Sequence, residues 1–209
     1  MSDSTFLYIV EIIGTFAFAI SGIRMAARKR FDLFGAYVVG LVTAIGGGTL
    51  RDLLLDVDPF WMEDSIYLIV TAAALLLVIV LRKNILRFEN TFFIFETIGL
   101  ALFVVVGIQK SIINVEDCPF WVAIIMGTLT GAFGGILRDI LVNEEPLIFR
   151  KDIYASACIF GGIVYWFSFS IGVNDIVTQI LAATGVIATR IMAVKFKWTL
   201  PTLKSEDDL

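Results

Sequence analysis

Six charged side chains stand inside apolar stretches of this sequence, where a charge is costly unless it is paired or has a function. They are Glu11, Arg51, Asp52, Glu96, Arg138 and Asp139. In membrane proteins such charges face a bundle interior or a water-filled cavity, and they mark the pathways of ions and small charged solutes. We therefore interpret these residues as candidates for a permeation or substrate site.

Glycines precede both Arg-Asp pairs, at Gly46-Gly47-Gly48 and at Gly134-Gly135. Each glycine weakens a helix by about 1 kcal/mol relative to alanine, so both clusters predict a kink. An irregular helix at membrane depth is tolerated where it is buried in protein or lines a wet cavity. The alternative is close helix packing, because small residues also recur every four positions, as at Gly131 and Gly135.

Threonine hydroxyls flank the same glycines, at Thr43, Thr49, Thr128 and Thr130. Hydroxyls and freed carbonyls are oxygen ligands suited to partly dehydrated monovalent cations, which predicts that they line a pore or take part in gating. The alternative is that each hydroxyl bonds a carbonyl of its own helix, as threonines in membrane helices commonly do.

The composition indicates an integral membrane protein, because 58% of the 209 residues are hydrophobic and the mean hydropathy is +0.90. Histidine is absent and the net charge is −4. The commonest general base and metal ligand are therefore missing, and no basic surface suggests a nucleic-acid partner. We expect no enzyme, no metal site and no cofactor.

Seven apolar stretches predict an all-α membrane protein with seven transmembrane helices, roughly at 5–27, 32–55, 64–82, 91–109, 119–142, 152–170 and 174–194. Basic residues concentrate in alternate connections: Arg24, Arg28, Lys29, Arg30, Arg82, Lys83, Arg87, Arg150, Lys151, Arg190, Lys195, Lys197 and Lys204. The positive-inside rule then predicts an external N-terminus and a cytoplasmic C-terminus in the inner membrane.

The chain contains an internal repeat. Glu11 and Gly14 match Glu96 and Gly99 at an offset of 85, and the Arg51-Asp52 pair matches Arg138-Asp139 at an offset of 87. We expect a first three-helix repeat at 5–88, a second at 89–172, a seventh helix at 173–195 and a cytoplasmic tail at 196–209. Because each repeat has an odd number of spans, the second is inverted, and such pairs place their site between the repeats.

The depth of the charges in the predicted helices suggests their partners. With 1.5 Å of rise per residue, Glu11 is level with Arg51, and Glu96 is level with Arg138. We expect two symmetry-related ion pairs, which either lock the helices together or line and gate a path. Asp52 and Asp139 are expected to point about 100° away from the arginines, where they cap a broken backbone or face a vestibule.

The paired Gly-Gly-x-x-Arg-Asp signatures at Gly47 to Asp52 and Gly134 to Asp139, the inverted repeat and the seventh helix resemble the prokaryotic trimeric intracellular cation (TRIC) channels. This family is also described as a glycine-transporter-domain family. The resemblance implies a homotrimer in the lipid membrane. It also implies that each protomer has its own pore, lined by the glycine-kinked second and fifth helices and permeable to K⁺ and Na⁺.

Two other functions stay open at this point. A secondary carrier of a small solute such as glycine could hold the solute carboxylate at Arg51 or Arg138 beside half-helix ends. A structural membrane subunit would use the charges only to lock its fold. Within the channel interpretation, the arginines are either neutralised by the glutamates or act, unpaired, as a plug in the closed state.

Overall fold

The computed structural model describes residues 3–81 and 90–201 of the 209. These ranges form eight α-helices and no β-strand, apart from one isolated bridge between Asp152 and Thr199. The helices are α1 (Asp3–Arg28), α2 (Leu33–Leu54), α3 (Phe60–Glu63), α4 (Ile66–Val80), α5 (Asn90–Asn114), α6 (Phe120–Leu141), α7 (Ala155–Ser170) and α8 (Asp175–Phe196). A 3-10 helix at Leu147–Phe149 lies between α6 and α7.

Five of these helices, α1, α2, α5, α6 and α8, are long and apolar enough to cross a membrane. The protein is therefore an all-helical membrane protein. α4 and α7 are also apolar but have 15 and 16 residues. At 1.5 Å per residue each is somewhat shorter than a hydrocarbon core of about 30 Å. They occupy the positions of the third and sixth predicted spans, so the count of seven stays a prediction.

Several predicted boundaries differ from the structure. α5 continues to Asn114, beyond the predicted end at 109, and α7 begins at Ala155 rather than at 152. Hydropathy places such ends poorly, because polar residues at a helix end can remain helical. Arg82, Lys83, Arg87, Lys204 and most of the predicted tail at 196–209 lie outside the described residues, as does the junction predicted at 88 and 89.

α1, α2, α5 and α6 form the centre of the fold, and they pack as two antiparallel pairs. In the α1–α5 pair, Gly14 faces Phe103 and Gly99 faces Phe18. In the α2–α6 pair, Gly47 faces the Thr130 carbonyl and Gly134 faces the Thr43 carbonyl. α4 packs against α1 and α2, α7 against α6, and α8 against α5 and α7. Equivalent helices of the two predicted repeats thus meet head to tail.

The glycines lie where the backbones of α2 and α6 touch. A methyl group at Gly47 would overlap the Thr130 carbonyl oxygen, and one at Gly134 would overlap the Thr43 carbonyl oxygen. Both helices run as continuous α-helices through these positions. Close packing therefore accounts for the two residues, as it does in small-residue helix crossings. The predicted kink stays a prediction.

The other predicted glycines also lie at close contacts. A side chain at Gly46 would meet Leu137, one at Gly48 the Phe60 ring, one at Gly131 the Leu100 carbonyl, and one at Gly135 the Tyr154 hydroxyl. Each position thus accommodates a neighbouring group that a larger residue would displace.

Candidate functional site

The second Arg-Asp pair lies at the centre of a fully buried polar cluster, which we call the second cluster: Ser21, Glu96, Arg138, Asp139 and Tyr154. Arg138 Nη1 donates to Glu96 Oε2 and, at 2.9 Å, to Ser21 Oγ. Its Nε donates to Asp139 Oδ1 at 2.8 Å. Ser21 Oγ donates to Glu96 Oε2 at 2.6 Å, and the Tyr154 hydroxyl donates to Glu96 Oε1 at 2.8 Å. Both carboxylate oxygens of Glu96 therefore accept hydrogen bonds.

The first Arg-Asp pair has a looser version of the same arrangement, which we call the first cluster: Glu11, Arg51, Asp52 and Tyr67. Arg51 Nε donates to Asp52 Oδ1 at 2.7 Å, and the Tyr67 hydroxyl donates to Glu11 Oε2 at 3.1 Å. Arg51 Nη2 lies 3.8 Å from Glu11 Oε1, an ion-pair distance too long for a hydrogen bond. The structure thus brings Glu11 to Arg51 and Glu96 to Arg138.

The two aspartates also bind the neighbouring arginines, a contact that the sequence did not predict. Each carboxylate accepts a hydrogen bond from its neighbouring guanidinium through Oδ1. The other oxygen accepts a backbone N–H eight residues later, from Phe60 at 2.9 Å and from Leu147 at 3.1 Å. The helices end after these residues without an internal break, so the aspartates anchor the segments that follow α2 and α6.

Each cluster combines one guanidinium with two carboxylates, so each has one formal negative charge when all three groups are ionised. The arginines and glutamates are at most 3% exposed. Burying such a set is tolerated only when hydrogen bonds satisfy its members, and removing one partner typically costs about 3–5 kcal/mol. The positive charge of each arginine is thus offset locally by two carboxylates.

Three of the four predicted threonines bond their own helix. Thr43 Oγ1 donates to the Val39 carbonyl at 2.6 Å, as Thr49 does to Ile45 at 2.8 Å and Thr130 to Met126 at 2.7 Å. Thr128 Oγ1 has no hydrogen-bond partner among the described residues, and its side chain borders an apolar groove between α6 and α7. The geometry favours the alternative of backbone bonding for Thr43, Thr49 and Thr130.

Sequence reasoning missed three members of the clusters, Ser21, Tyr67 and Tyr154. The two tyrosines were detectable, because they match at the repeat offset of 87: Tyr67 is the second residue of α4, and Tyr154 immediately precedes the equivalent helix α7. Ser21 offered no such signal, since the matching position in the second repeat, 85 residues later, is Val106.

A cavity of about 490 Å³ opens beside the second cluster, at the end where α1 and α6 finish. Asp139 is part of its wall, together with basic side chains of Arg28, Lys29 and Arg150. Lys29 Nζ lies 2.7 Å from Glu144 Oε1, and this hydrogen bond holds the pKa of Glu144 below its usual value. Within residues 3–81 and 90–201, no three acidic, cysteine or histidine side chains group as a metal site.

Comparison with known proteins gives consistent matches over nearly the whole chain. A family model described as Glycine transporter matches it twice, over residues 8–83 and 93–170. The UPF0126 inner membrane protein YadS of Escherichia coli (strain K12) is 40% identical over 207 residues, covering 97% of this chain and 98% of YadS.

Solved structures of TRIC channels superpose closely. One of a TRIC cation channel has a TM-score of 0.84 at 34% identity, covering 95% of this chain and 97% of the other. The TRIC orthologue from Rhodobacter sphaeroides has a TM-score of 0.86 at 28% identity, covering 92% of this chain and 99% of that channel. Both superpositions cover more than nine tenths of each chain.

Proposed function

Because the chain belongs to the prokaryotic TRIC family, whose family model is described as Glycine transporter, we propose that it is a passive channel for the monovalent cations K⁺ and Na⁺. The observation that carries this proposal is the pair of buried clusters, each with two carboxylates around one arginine. Such groups inside a membrane mark an ion path, and their negative balance suits a cation.

The path runs through each protomer and is controlled where α2 crosses α6. The crossing is centred between the contacts of Gly47 with Thr130 and of Gly134 with Thr43. Arg51 and Arg138 lie beyond it in opposite directions, roughly 18 Å apart at 1.5 Å of rise per residue. A cation therefore passes one cluster, the glycine crossing and then the other cluster. Because the backbones touch at this crossing, the proposal interprets the structure as a closed state of the path.

The proposal includes seven membrane crossings, with α4 and α7 as the two short ones, and a homotrimer in the lipid membrane. It also includes an external N-terminus and a cytoplasmic C-terminus. The basic residues Arg28, Lys29 and Arg150 support this orientation, because they line one cavity at one end of the molecule and basic ends face the cytoplasm. The C-terminal segment lies at the same end, where the Leu200 amide donates to the Lys151 carbonyl at 2.9 Å.

The carrier alternative fits the geometry less well. A solute carboxylate at either arginine would meet two protein carboxylates already bound there, and like charges at such distances repel. The half-helix ends that a carrier would use are also missing from α2 and α6, which are continuous. We accordingly place the channel first.

The test is planar-bilayer recording of the purified protein in asymmetric KCl, with glycine exchange in liposomes measured on the same preparation. Discrete openings that reverse near the K⁺ equilibrium potential are the expected result. Silent bilayers together with glycine exchange would overturn the channel and support a carrier. Silence in both assays would leave the structural subunit as the explanation.

A further inference from the structure

The two clusters are related by the repeat, yet they differ in how well their polar atoms are satisfied. In the first cluster Glu11 Oε1 and Arg51 Nη1 have no hydrogen-bond partner among the described residues, while Arg51 Nη2 lies 2.7 Å from Asp52 Oδ1. In the second cluster both oxygens of Glu96 and Arg138 Nη1 are hydrogen-bonded, and Arg138 Nη2 lies 2.8 Å from Asp139 Oδ1. The glutamates and arginines are buried alike, so exposure to solvent does not explain the difference.

Two contacts make the difference: the direct hydrogen bond from Arg138 to Glu96, which is absent between Arg51 and Glu11, and one hydroxyl. Ser21 Oγ accepts from Arg138 Nη1 and donates to Glu96 Oε2, so it bridges the acid and the base. It reaches them from α1, whereas Glu96 lies on α5 and Arg138 on α6. Ser21 therefore joins the first repeat to the charged cluster of the second.

Val106 occupies the equivalent place at the first cluster. In the antiparallel α1–α5 pair, Ser21 faces Glu96 and Gly14 faces Phe103, so each step forward on α1 is a step back on α5. This register puts Val106 opposite Glu11. Val106 is fully buried and has no side-chain donor or acceptor. The first cluster therefore lacks the bridge.

We propose that Ser21 is a positioning residue whose bridge, here called the latch, keeps the second cluster closed. Val106 cannot form this bridge, so the first cluster is the one that opens. This inference rests on the proposed channel function for its consequence, because it identifies the first cluster as the gate. Buried donors and acceptors without partners are costly, so water entering from the path stabilises an opened first cluster. The second cluster gains less from opening, because it would lose the bridge.

The test uses amide hydrogen exchange, which reports opening whether or not the protein conducts. The Phe60 amide is bound by Asp52 of the first cluster, and the Leu147 amide by Asp139 of the second. In the wild-type trimer in detergent micelles, we expect Phe60 to exchange faster than Leu147. Equal or reversed protection would overturn the proposal.

Val106→Ser tests the missing bridge directly. The added hydroxyl lies opposite Glu11 and should slow exchange at Phe60 about tenfold, the effect of one hydrogen bond to a charged group. Val106→Ala removes side-chain volume without adding a hydroxyl and is the matched control. The same exchange rate in both variants would contradict the latch, because loss of volume alone would then explain any change.

Ser21→Ala is the converse variant and covers the case in which Val106→Ser does not fold. It should speed exchange at Leu147 about tenfold and leave Phe60 unchanged, while Ser21→Thr, which keeps the hydroxyl, restores protection. Faster exchange at both amides would indicate general loosening and overturn the specific role. In bilayers, Val106→Ser should lower the open probability. If the wild type shows no current, the channel proposal fails, and the exchange rates still determine whether Ser21 keeps the second cluster closed.

Discussion

At the scale of single residues, the two buried glutamates differ in the number of hydrogen bonds that they accept. Glu96 accepts hydrogen bonds from Arg138, Ser21 and Tyr154, whereas Glu11 accepts one from Tyr67 and lies 3.8 Å from Arg51. A buried carboxylate stabilises a membrane fold only to the extent that its partners are fixed. The second cluster should therefore contribute more to stability, and the first should be easier to rearrange.

This difference predicts unequal effects of neutralising the two acids. Glu96→Gln should lower the free energy of unfolding by about 3–5 kcal/mol, because it removes one of the two carboxylates that pair with Arg138. Glu11→Gln should lower it by about 1–2 kcal/mol, since one long ion pair and one hydrogen bond are affected. Denaturant unfolding of both variants in the same detergent measures the difference. Equal losses would show that the clusters are energetically alike.

At the scale of helices, the glycine crossing determines how closely α2 and α6 approach. Gly47→Ala should destabilise the protein by about 1–3 kcal/mol, because the new methyl overlaps the Thr130 carbonyl and forces the helices apart. Gly185→Ala on α8 is the matched control, since its methyl would lie 3.5 Å from Val164, an ordinary contact. Thermal unfolding compares the two. If Gly185→Ala lowered the stability as much as Gly47→Ala, the steric overlap at the crossing would not be the cause of the loss.

The link between the ends of α1 and α6 predicts a pH dependence. The hydrogen bond from Lys29 lowers the pKa of Glu144, so this pair stabilises the folded state above the ordinary glutamate pKa. That contribution is lost as the pH falls through the lowered value. Carbon NMR of the Glu144 carboxyl should show a midpoint below that of an unpaired glutamate. Lys29→Gln should raise that midpoint towards the ordinary value, while Arg150, whose Nη2 lies 3.7 Å from Glu144 Oε2, keeps part of the shift. An unchanged midpoint in Lys29→Gln would contradict the pairing.

Much of the helix layout was predictable, and the parts that were not have physical reasons. Within the described residues, continuous apolar stretches indicated every α-helix except α3, which has four residues and is too short for hydropathy to detect. The depth of the charges along the helices correctly predicted the pairs Glu11–Arg51 and Glu96–Arg138. The loop-anchoring role of Asp52 was missed because it depends on the path of the chain after α2. Ser21 was missed because the repeat itself places a valine at the matching position.

At the scale of the whole molecule, the repeat makes the two ends of the proposed path chemically similar, so the orientation in the membrane determines which cluster faces which compartment. With the N-terminus outside, the first cluster faces the exterior and the second faces the cytoplasm. The cavity with Lys29 and Arg150 then opens into the cytoplasm. The basic residues at that end then face the cytoplasm, as the positive-inside rule requires. The gate proposed at the first cluster would consequently be external.

The two native cysteines can test this orientation. Cys118 lies between α5 and α6 and is partly exposed, whereas Cys158 is buried in α7. An impermeant maleimide should label intact cells at Cys118, and Cys118→Ser should abolish the signal. Burial raises the pKa of the Cys118 thiol, so labelling should become faster as the pH rises, because the thiolate is the reactive form. Labelling only in inverted vesicles would reverse the orientation and place the first cluster on the cytoplasmic side.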